Sequence, residues 1–206
     1  MRAFSIAFAI LVLVIFSACD TWRVLTTVDR KQKSWDIRKI EKYAGKFSDI
    51  SHLYVGNGHD LLWMGVESPV VYSSNGRMLH ADMKQGCRDE QYYRVYFQSI
   101  ADGYYSEDDL VDVVTYASKY MQPGWDSLRD TTFKYAVDFD TVSPLLREID
   151  RLPSTPALTS KFTVILPFFL SGQRRIQTVL INEYISAIEA TDADKVFNLW
   201  MVYLGE

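Results

Sequence analysis

Residues 7–16 form an apolar run near the N-terminus, and this run constrains more than any other feature which part of the chain can form a folded domain. Arg2 precedes the run, and the small residues Ser17 and Ala18 follow it. A membrane-spanning helix needs about 20 apolar residues, so this run is too short to cross a bilayer by itself. A positive start, a short apolar stretch and small residues at a cleavage position are typical of a secretory signal peptide. We therefore predict that residues 1–18 are a signal peptide.

A cysteine, Cys19, stands directly after the predicted cleavage position. The segment Phe16-Ser17-Ala18-Cys19 resembles the lipobox of bacterial lipoproteins, with phenylalanine in place of the usual aliphatic residue. The resemblance covers only this segment. It implies that diacylglycerol alkylates the thiol of Cys19, that the chain is cut before it, and that the new amino terminus can be acylated. Since two acyl chains anchor a protein stably where one binds marginally, the resemblance implies a membrane-anchored protein of the bacterial cell envelope.

The residue after the cysteine helps to predict whether the anchor lies in the inner or the outer membrane. Asp20 in this position resembles the signal that keeps lipoproteins in the inner membrane of enteric bacteria. The resemblance therefore favours the periplasmic face of the inner membrane over the outer membrane. An ordinary secretory signal and an uncleaved anchor helix are the two alternatives to a lipoprotein.

Charge is distributed unevenly along the chain. Residues 20–46 carry eight basic and four acidic side chains, a net charge of +4, whereas residues 47–206 carry 13 basic and 22 acidic ones, a net charge of −9. A basic segment beside a lipid anchor favours anionic headgroups, and we predict that residues 19–33 are a membrane tether. A solvated linker is the alternative. The acidic remainder argues against nucleic acid as a partner.

The rest of the chain is long and apolar enough for a folded core. Hydrophobic residues make up 48% of the sequence, which excludes an intrinsically disordered chain. The next most apolar stretch, residues 162–170, is too short to span a bilayer and contains Pro167, so we predict a buried strand there. We expect residues 34–206 to form a single globular domain.

The first half of this domain predicts one helix and several strands. Apolar residues at steps of three and four predict a helix from about Ser34 to Phe47. Asn75-Gly76, between two apolar segments, predicts a β-hairpin. The strands of the predicted antiparallel meander are residues 50–55, 60–66, 69–74, 77–83 and 91–100.

The second half alternates predicted helices and strands. Ser106 and the acidic residues after it predict an N-cap and a helix over residues 106–121. The remaining predictions are a strand at 132–139, a helix at 143–149, a strand at 161–170, and a helix from 175 to 203 that breaks near Thr191. Together these elements predict an α+β fold in which an antiparallel sheet has helices packed on one side.

The sequence contains no recognised catalytic or metal-binding motif. Its histidines, considered together with Asp82, lack the spacing of known zinc sites. Cys87 is the only thiol left after lipidation, and the residues around it only faintly resemble those of caspase-type cysteine proteases. We predict no cofactor, no metal ion and no catalytic residue. A catalytic pair of carboxylates that come together only in the folded protein stays an open alternative. The residues considered are His52, His59, His80, Glu67, Glu90, Asp138, Asp140 and Glu148.

Tyrosine-rich segments indicate a binding surface. Because Tyr and Trp are favoured at protein interfaces, we predict partner binding at Tyr92, Tyr96, Tyr104 and Tyr105, with packing in the core as the alternative. The function we expect is a lipid-anchored, non-enzymatic protein-binding module. It would serve as an accessory subunit of an envelope complex, or as an immunity or exclusion factor. An envelope hydrolase acting on peptidoglycan or lipid and a small-ligand-binding lipoprotein are the alternatives.

Overall fold

The computed structural model describes most of the chain beyond the predicted tether. The described residues are 37–57, 60–61, 64, 69–81, 90–106, 110–120, 137–149, 158, 160–170, 174–191 and 196–205. The predicted signal peptide, the tether and Cys19 lie outside them, as do Asp20, His59, Glu67, Asp82 and Cys87.

Helices and strands are interleaved along the described residues. The α-helices are α1 (Ile37–Ala44), α2 (Glu90–Ala101), α3 (Val113–Tyr120), α4 (Phe139–Val142) and α5 (Arg174–Thr191). The strands are β1 (Ile50–Asn57), β2 (Val70–Ser73), β3 (Met78–Ala81), β4 (Leu110–Val111), β5 (Leu146–Glu148), β6 (Phe162–Phe168) and β7 (Phe197–Gly205). None of the helices in the described part of the chain is long and apolar enough to cross a membrane.

The described strands form one seven-stranded sheet in the order β4-β3-β2-β6-β7-β1-β5. The pairs β1–β5, β2–β3 and β2–β6 are antiparallel, whereas β1–β7, β6–β7 and β3–β4 are parallel. The α+β class predicted from the sequence is confirmed, with a mixed sheet rather than a purely antiparallel one. The connections of the predicted meander are wrong, because β1 pairs with β5 and β7 instead of with β2.

Strand β7 lies inside the sheet, between β6 and β1, and is parallel to both. Its side chains are buried on both faces, with Leu199 and Met201 on one face and Trp200 and Val202 on the other. A parallel strand covered on both faces has a nearly continuous apolar sequence. The helix predicted through Tyr203 is therefore wrong beyond α5, because such a sequence matches a buried strand as well as a helical repeat.

Four helices cover one face of the sheet in the order α1, α5, α2, α3. Tyr43 of α1 shares a 3.1 Å hydrogen bond with Thr178 of α5, and the ring of Tyr93 in α2 lies 4.5 Å from that of Tyr184 in α5, measured between centroids. Helix α3 lies beside α2. These helices and the side chains of the sheet beneath them form the larger apolar core. The prediction that helices pack on one side holds for these four.

A smaller core on the opposite face is built around Trp200, whose side chain is fully buried. The rings of Tyr54 and Phe139 contact it, with centroids 5.0 and 5.7 Å away. Phe139 begins helix α4, so this short helix lies on the face opposite to the other four. Leu61 and Met64 also belong to this core.

Residues 91–100, predicted as a strand, belong to helix α2. Tyr92, Tyr96 and Ile100 recur at every fourth residue and are all buried, which is the signature of a helix with one face in the core. The aromatic content of the segment favours a strand by propensity, and burial of the helical face outweighs that preference. Tyr92 and Tyr96 are only 4% and 6% exposed, so their side chains lie in the core rather than on a binding surface.

The local predictions with clear end signals are confirmed. The hairpin at Asn75-Gly76 joins β2 to β3, and Gly76 has a φ of +83°, a left-handed value that glycine adopts without steric cost. Helix α1 lies within the predicted helix, and β6 lies within the predicted strand. Helix α5 starts at Arg174, one residue before its predicted start.

The helix predicted over residues 106–121 begins later than expected. Strand β4 comes first, and α3 starts at Val113. The carboxylate of Asp112 accepts a hydrogen bond of 3.1 Å from the backbone N–H of Thr115, so Asp112 rather than Ser106 is the N-cap.

Three further predictions are wrong or only partly described. The helix predicted at 143–149 is reduced to a 3₁₀ turn, Ser143–Leu145, followed by strand β5. In the strand predicted at 60–66, the described residues form turns. Of the strand predicted at 132–139, only the last three residues are described, and Phe139 begins a helix.

Candidate functional site: an exposed tyrosine cluster

Three tyrosines, a lysine and an aspartate come together where the chain passes from the end of α2 to α3. We call this group the tyrosine cluster, and its members are Asp102, Tyr104, Tyr116, Lys119 and Tyr120. The three tyrosine rings contact one another in pairs, with centroids 5.0, 5.8 and 4.8 Å apart. Side chains at residues 116 and 120 share one face of α3, because they are four residues apart in a helix.

A tight turn after α2 places Tyr104 against α3. Gly103 has a φ of +77°, and the N–H groups of Gly103 and Tyr104 donate to the carbonyl oxygens of Ile100 at 3.1 Å and Ser99 at 2.8 Å. This pair of hydrogen bonds is the Schellman motif, which ends many helices at a glycine. The carbonyl oxygen of Tyr104 then accepts a 3.0 Å hydrogen bond from the N–H of Asp112. The backbone thus fixes Tyr104 beside the start of α3.

Hydrogen bonds within the cluster hold its side chains in place. Lys119 Nζ donates to the hydroxyl of Tyr104 at 2.8 Å and lies 4.8 Å from the centroid of the Tyr120 ring. The hydroxyl oxygens of Tyr104 and Tyr120 are 2.8 Å apart. The hydroxyl of Tyr116 donates to the carboxylate of Asp102 at 2.6 Å. Each of the three phenol hydroxyls therefore has a partner inside the cluster.

The same contacts change the ionisation of the tyrosines. Lys119 and then the hydroxyl of Tyr104 lower the pKa of Tyr120, because both stabilise its phenolate. Burial, followed by the hydrogen bond to Asp102, raises the pKa of Tyr116. Because folding raises this pKa, the contribution of Tyr116 to the free energy of unfolding is present below its ordinary pKa of 10.0 and is lost as the pH rises through the raised value.

The tyrosine cluster offers a fixed aromatic surface to solvent. The side chain of Tyr120 is 55% exposed, whereas Tyr116 beneath it is 7% exposed. A ring that is exposed and already held in one position loses little conformational entropy when a partner covers it. The cluster can therefore serve as a contact surface that presents a ring face, phenol hydroxyls and one ammonium group.

Of the four tyrosines predicted to bind a partner, only Tyr104 belongs to this cluster. Tyr105 is half-buried, and its ring contacts that of Phe162 with centroids 5.9 Å apart. Tyr92 and Tyr96 lie in the core on α2. Partner binding by Tyr104 stays a prediction.

The predicted binding surface does not include Tyr116, Lys119 or Tyr120. The four-residue spacing of Tyr116 and Tyr120 in a predicted helix is the signal that indicates a shared face. Their meeting with Tyr104 depends on the turn at Gly103, and spacing along the sequence does not reveal it.

A second polar contact, on the opposite face of the sheet, joins His52 and Glu148. Nδ1 of His52 lies 3.1 Å from Oε1 of Glu148, and the imidazole packs edge-on against the ring of Trp200 with centroids 5.5 Å apart. One of the histidines and one of the carboxylates considered from the sequence thus meet in the fold. The contact links the neighbouring strands β1 and β5.

The zinc site considered from the sequence does not form between His52 and His80. These residues lie on β1 and β3, which are separated by β7, β6 and β2 in the sheet. At about 4.8 Å per strand spacing, the two backbones are roughly 19 Å apart. Within the described ranges, no three His, Cys, Asp or Glu side chains are grouped closely enough to hold a metal ion.

Comparisons with protein-family models, with curated proteins and with solved structures find no match to this chain.

We expect Tyr120 to ionise below the ordinary tyrosine pKa of 10.0 when phenolate absorbance is followed during alkaline titration. In the variant Lys119→Met this early component should shift to higher pH, because the ammonium that stabilises the phenolate is gone. Tyr120→Phe should remove the component altogether. Lys161→Met, a change at an exposed lysine immediately before β6, is the matched control. An early component that persists in Tyr120→Phe would assign it to a different tyrosine.

Proposed function

We propose that this protein is a lipoprotein of the bacterial cell envelope that is anchored through Cys19 and binds another envelope protein through the tyrosine cluster. The anchor rests on the signal peptide and on the lipobox resemblance of residues 16–19. Asp20 favours the periplasmic face of the inner membrane. Binding without catalysis is the role that fits best, either as an accessory subunit of an envelope complex or as an immunity or exclusion factor.

The observation that carries the binding proposal is that the side chain of Tyr120 is exposed to solvent and is also held in one position by its neighbours. Its ring is 55% exposed, and its hydroxyl lies 2.8 Å from that of Tyr104. Lys119 Nζ lies 4.8 Å from the centroid of the same ring and donates a 2.8 Å hydrogen bond to the hydroxyl of Tyr104. Binding hot spots are enriched in tyrosine, tryptophan and arginine, because such side chains cover a large area with few rotatable bonds.

Anchoring strengthens this role without any new contact. A domain tethered to the membrane meets membrane partners at a raised effective concentration, so a modest affinity is sufficient. Such a partner is expected to cover the ring of Tyr120 and to accept hydrogen bonds from the remaining N–H groups of Lys119.

The experiment that tests the proposal is photocrosslinking in the cells that produce the protein. A photoreactive phenylalanine replaces Tyr120 in one variant and Arg147 in the other, because Arg147 is exposed on β5, at the other edge of the sheet from β4. We expect position 120 to give one discrete crosslinked product that position 147 does not give. Mass spectrometry of that product identifies the partner.

The purified partner then allows the affinity to be measured. Loss of a hot-spot side chain costs about 2 kcal/mol or more, so Tyr120→Ala should weaken binding roughly 30-fold. Tyr104→Phe should have a smaller effect in the same direction, because it keeps the ring and removes the hydroxyl that orders Lys119 and Tyr120. Arg147→Ala is the control. Equal crosslinking from both positions, or an affinity that Tyr120→Ala leaves unchanged, would contradict the proposed surface.

A further inference from the structure

The outer side of helix α1 is basic. Its exposed residues are Ile37, Arg38, Lys39 and Lys42, while Ile40 faces the core at 2% exposure. The one acidic residue of this helix, at position 41, is only partly exposed. Three cations and one isoleucine therefore face solvent together.

The first two turns of α5 also expose basic and aliphatic side chains. Arg175 is exposed, and Ile176 and Val179 are each 56% exposed, which is unusual for large apolar side chains on a helix whose other side is well packed. Further along the same helix, the exposed positions are Asn182, Ser186, Glu189 and Ala190, which are small, polar or acidic. The exposed large apolar and basic side chains of α5 thus lie at its N-terminal end.

The two helices present these residues side by side. The hydroxyls of Tyr43 in α1 and Thr178 in α5 are 3.1 Å apart, and Thr178 lies between Ile176 and Val179 in the sequence of α5. The ring of Tyr43 stacks on that of Phe168 in the sheet, with centroids 5.3 Å apart. Since both helices lie on the same face of the sheet, their outer sides face away from it in the same direction. We call this combined area the basic surface; its residues are Ile37, Arg38, Lys39, Lys42, Arg175, Ile176 and Val179.

We propose that the basic surface docks onto an anionic lipid bilayer. The charge complementarity favours phosphate headgroups, long basic side chains reach headgroups from the edge of a bilayer, and the exposed aliphatic side chains can enter the interface between headgroups and acyl chains. Ile37 follows the last residue of the predicted tether by only four positions in the sequence, so the anchor and the basic surface are close along the chain. The sequence leading to it adds Arg30, Lys31 and Lys33. This inference rests on the proposed membrane anchoring and adds an orientation to it.

The basic surface is separate from the tyrosine cluster. The order of helices over the sheet is α1, α5, α2, α3, so the cluster at α3 lies at the other end of the helix layer. Packed helices are about 8–10 Å apart, which separates α1 from α3 by roughly 25–30 Å. The two surfaces therefore lie at opposite ends of the helix layer and share no residue.

The test measures lysine acetylation in the full lipidated protein on vesicles of phosphatidylcholine, with or without phosphatidylglycerol. We expect acetylation of Lys39 and Lys42 to slow about fivefold on the anionic vesicles, the factor that corresponds to headgroup attraction of one basic residue. Lys161, exposed at the start of β6, is the internal control and should react at one rate on both vesicles. High salt should abolish the difference.

A double variant separates docking from charge attraction alone. Ile176→Ser with Val179→Ser changes only exposed side chains and should reduce the protection of the two lysines. The double variant Asp140→Asn with Thr141→Ser, at exposed positions of α4 on the opposite face of the sheet, should not. If the protein stays on the vesicles but both lysines react equally on the two lipid compositions, docking is wrong and anchoring stands. If the protein leaves the vesicles, the anchoring proposal itself is wrong. Protection that is found in cells but on neither type of vesicle would assign the surface to a protein partner and overturn the inference.

Discussion

Replacing Cys19 by serine is expected to move the protein from the membrane fraction into the soluble fraction. The thiol of Cys19 is the predicted attachment point of the diacylglycerol, and none of the described helices can span a bilayer. Each buried methylene contributes about 0.8 kcal/mol, so loss of the acyl chains removes most of the membrane affinity. Attraction of the basic surface to anionic lipid is weaker and is screened by salt. Fractionation after a carbonate wash, followed by immunoblotting, measures the distribution.

The matched control for this variant is Cys87→Ser, which changes the only other cysteine and should leave the protein on the membrane. The intact mass of the wild-type protein should exceed that of the chain cut before Cys19 by the mass of its acyl groups. A serine variant that stays on the membrane after the carbonate wash, or a wild-type mass without acyl groups, would contradict the lipoprotein proposal.

Sequence patterns predicted the elements whose signals are local. The hairpin at Asn75-Gly76 depends on a left-handed turn that glycine makes easily, and Gly76 adopts it. Helices α1 and α5 show one apolar face at helical spacing, and β6 is a short apolar run that is buried throughout. In these cases the residues that set the structure are neighbours along the chain.

Elements whose structure depends on distant partners were not predicted. Strand β7 is a strand because β6 and β1 lie on either side of it, and those strands are far from it in sequence. Helix α2 is a helix because Tyr92 and Tyr96 fill a core that other elements complete. The tyrosine cluster has the same origin, since Tyr104 reaches Tyr120 only after the turn at Gly103 folds the chain back. A pattern within one segment does not contain these contacts.

Trp200→Ala is expected to lower the free energy of unfolding by about 3–5 kcal/mol, the range for removing a fully buried aromatic side chain. Trp200 is 0% exposed on β7, and its ring contacts those of His52, Tyr54 and Phe139. The alanine leaves a cavity between the sheet and α4 that neighbouring rings fill only in part. Because folded domains are stable by only about 5–15 kcal/mol, this one change removes a large share of the total.

The variant Trp200→Phe distinguishes the two contributions of this side chain. Trp200 Nε1 is buried and has no hydrogen-bond partner among the described residues, and a buried N–H group without a partner costs desolvation energy. Phenylalanine keeps most of the ring volume and removes this N–H group, so we expect a loss of less than about 1.5 kcal/mol. Urea denaturation of the three proteins measures the difference. An alanine variant as stable as the wild type would show that Trp200 is not central to the second core, whereas equal losses in both variants would show that the indole N–H has a partner that stabilises the fold.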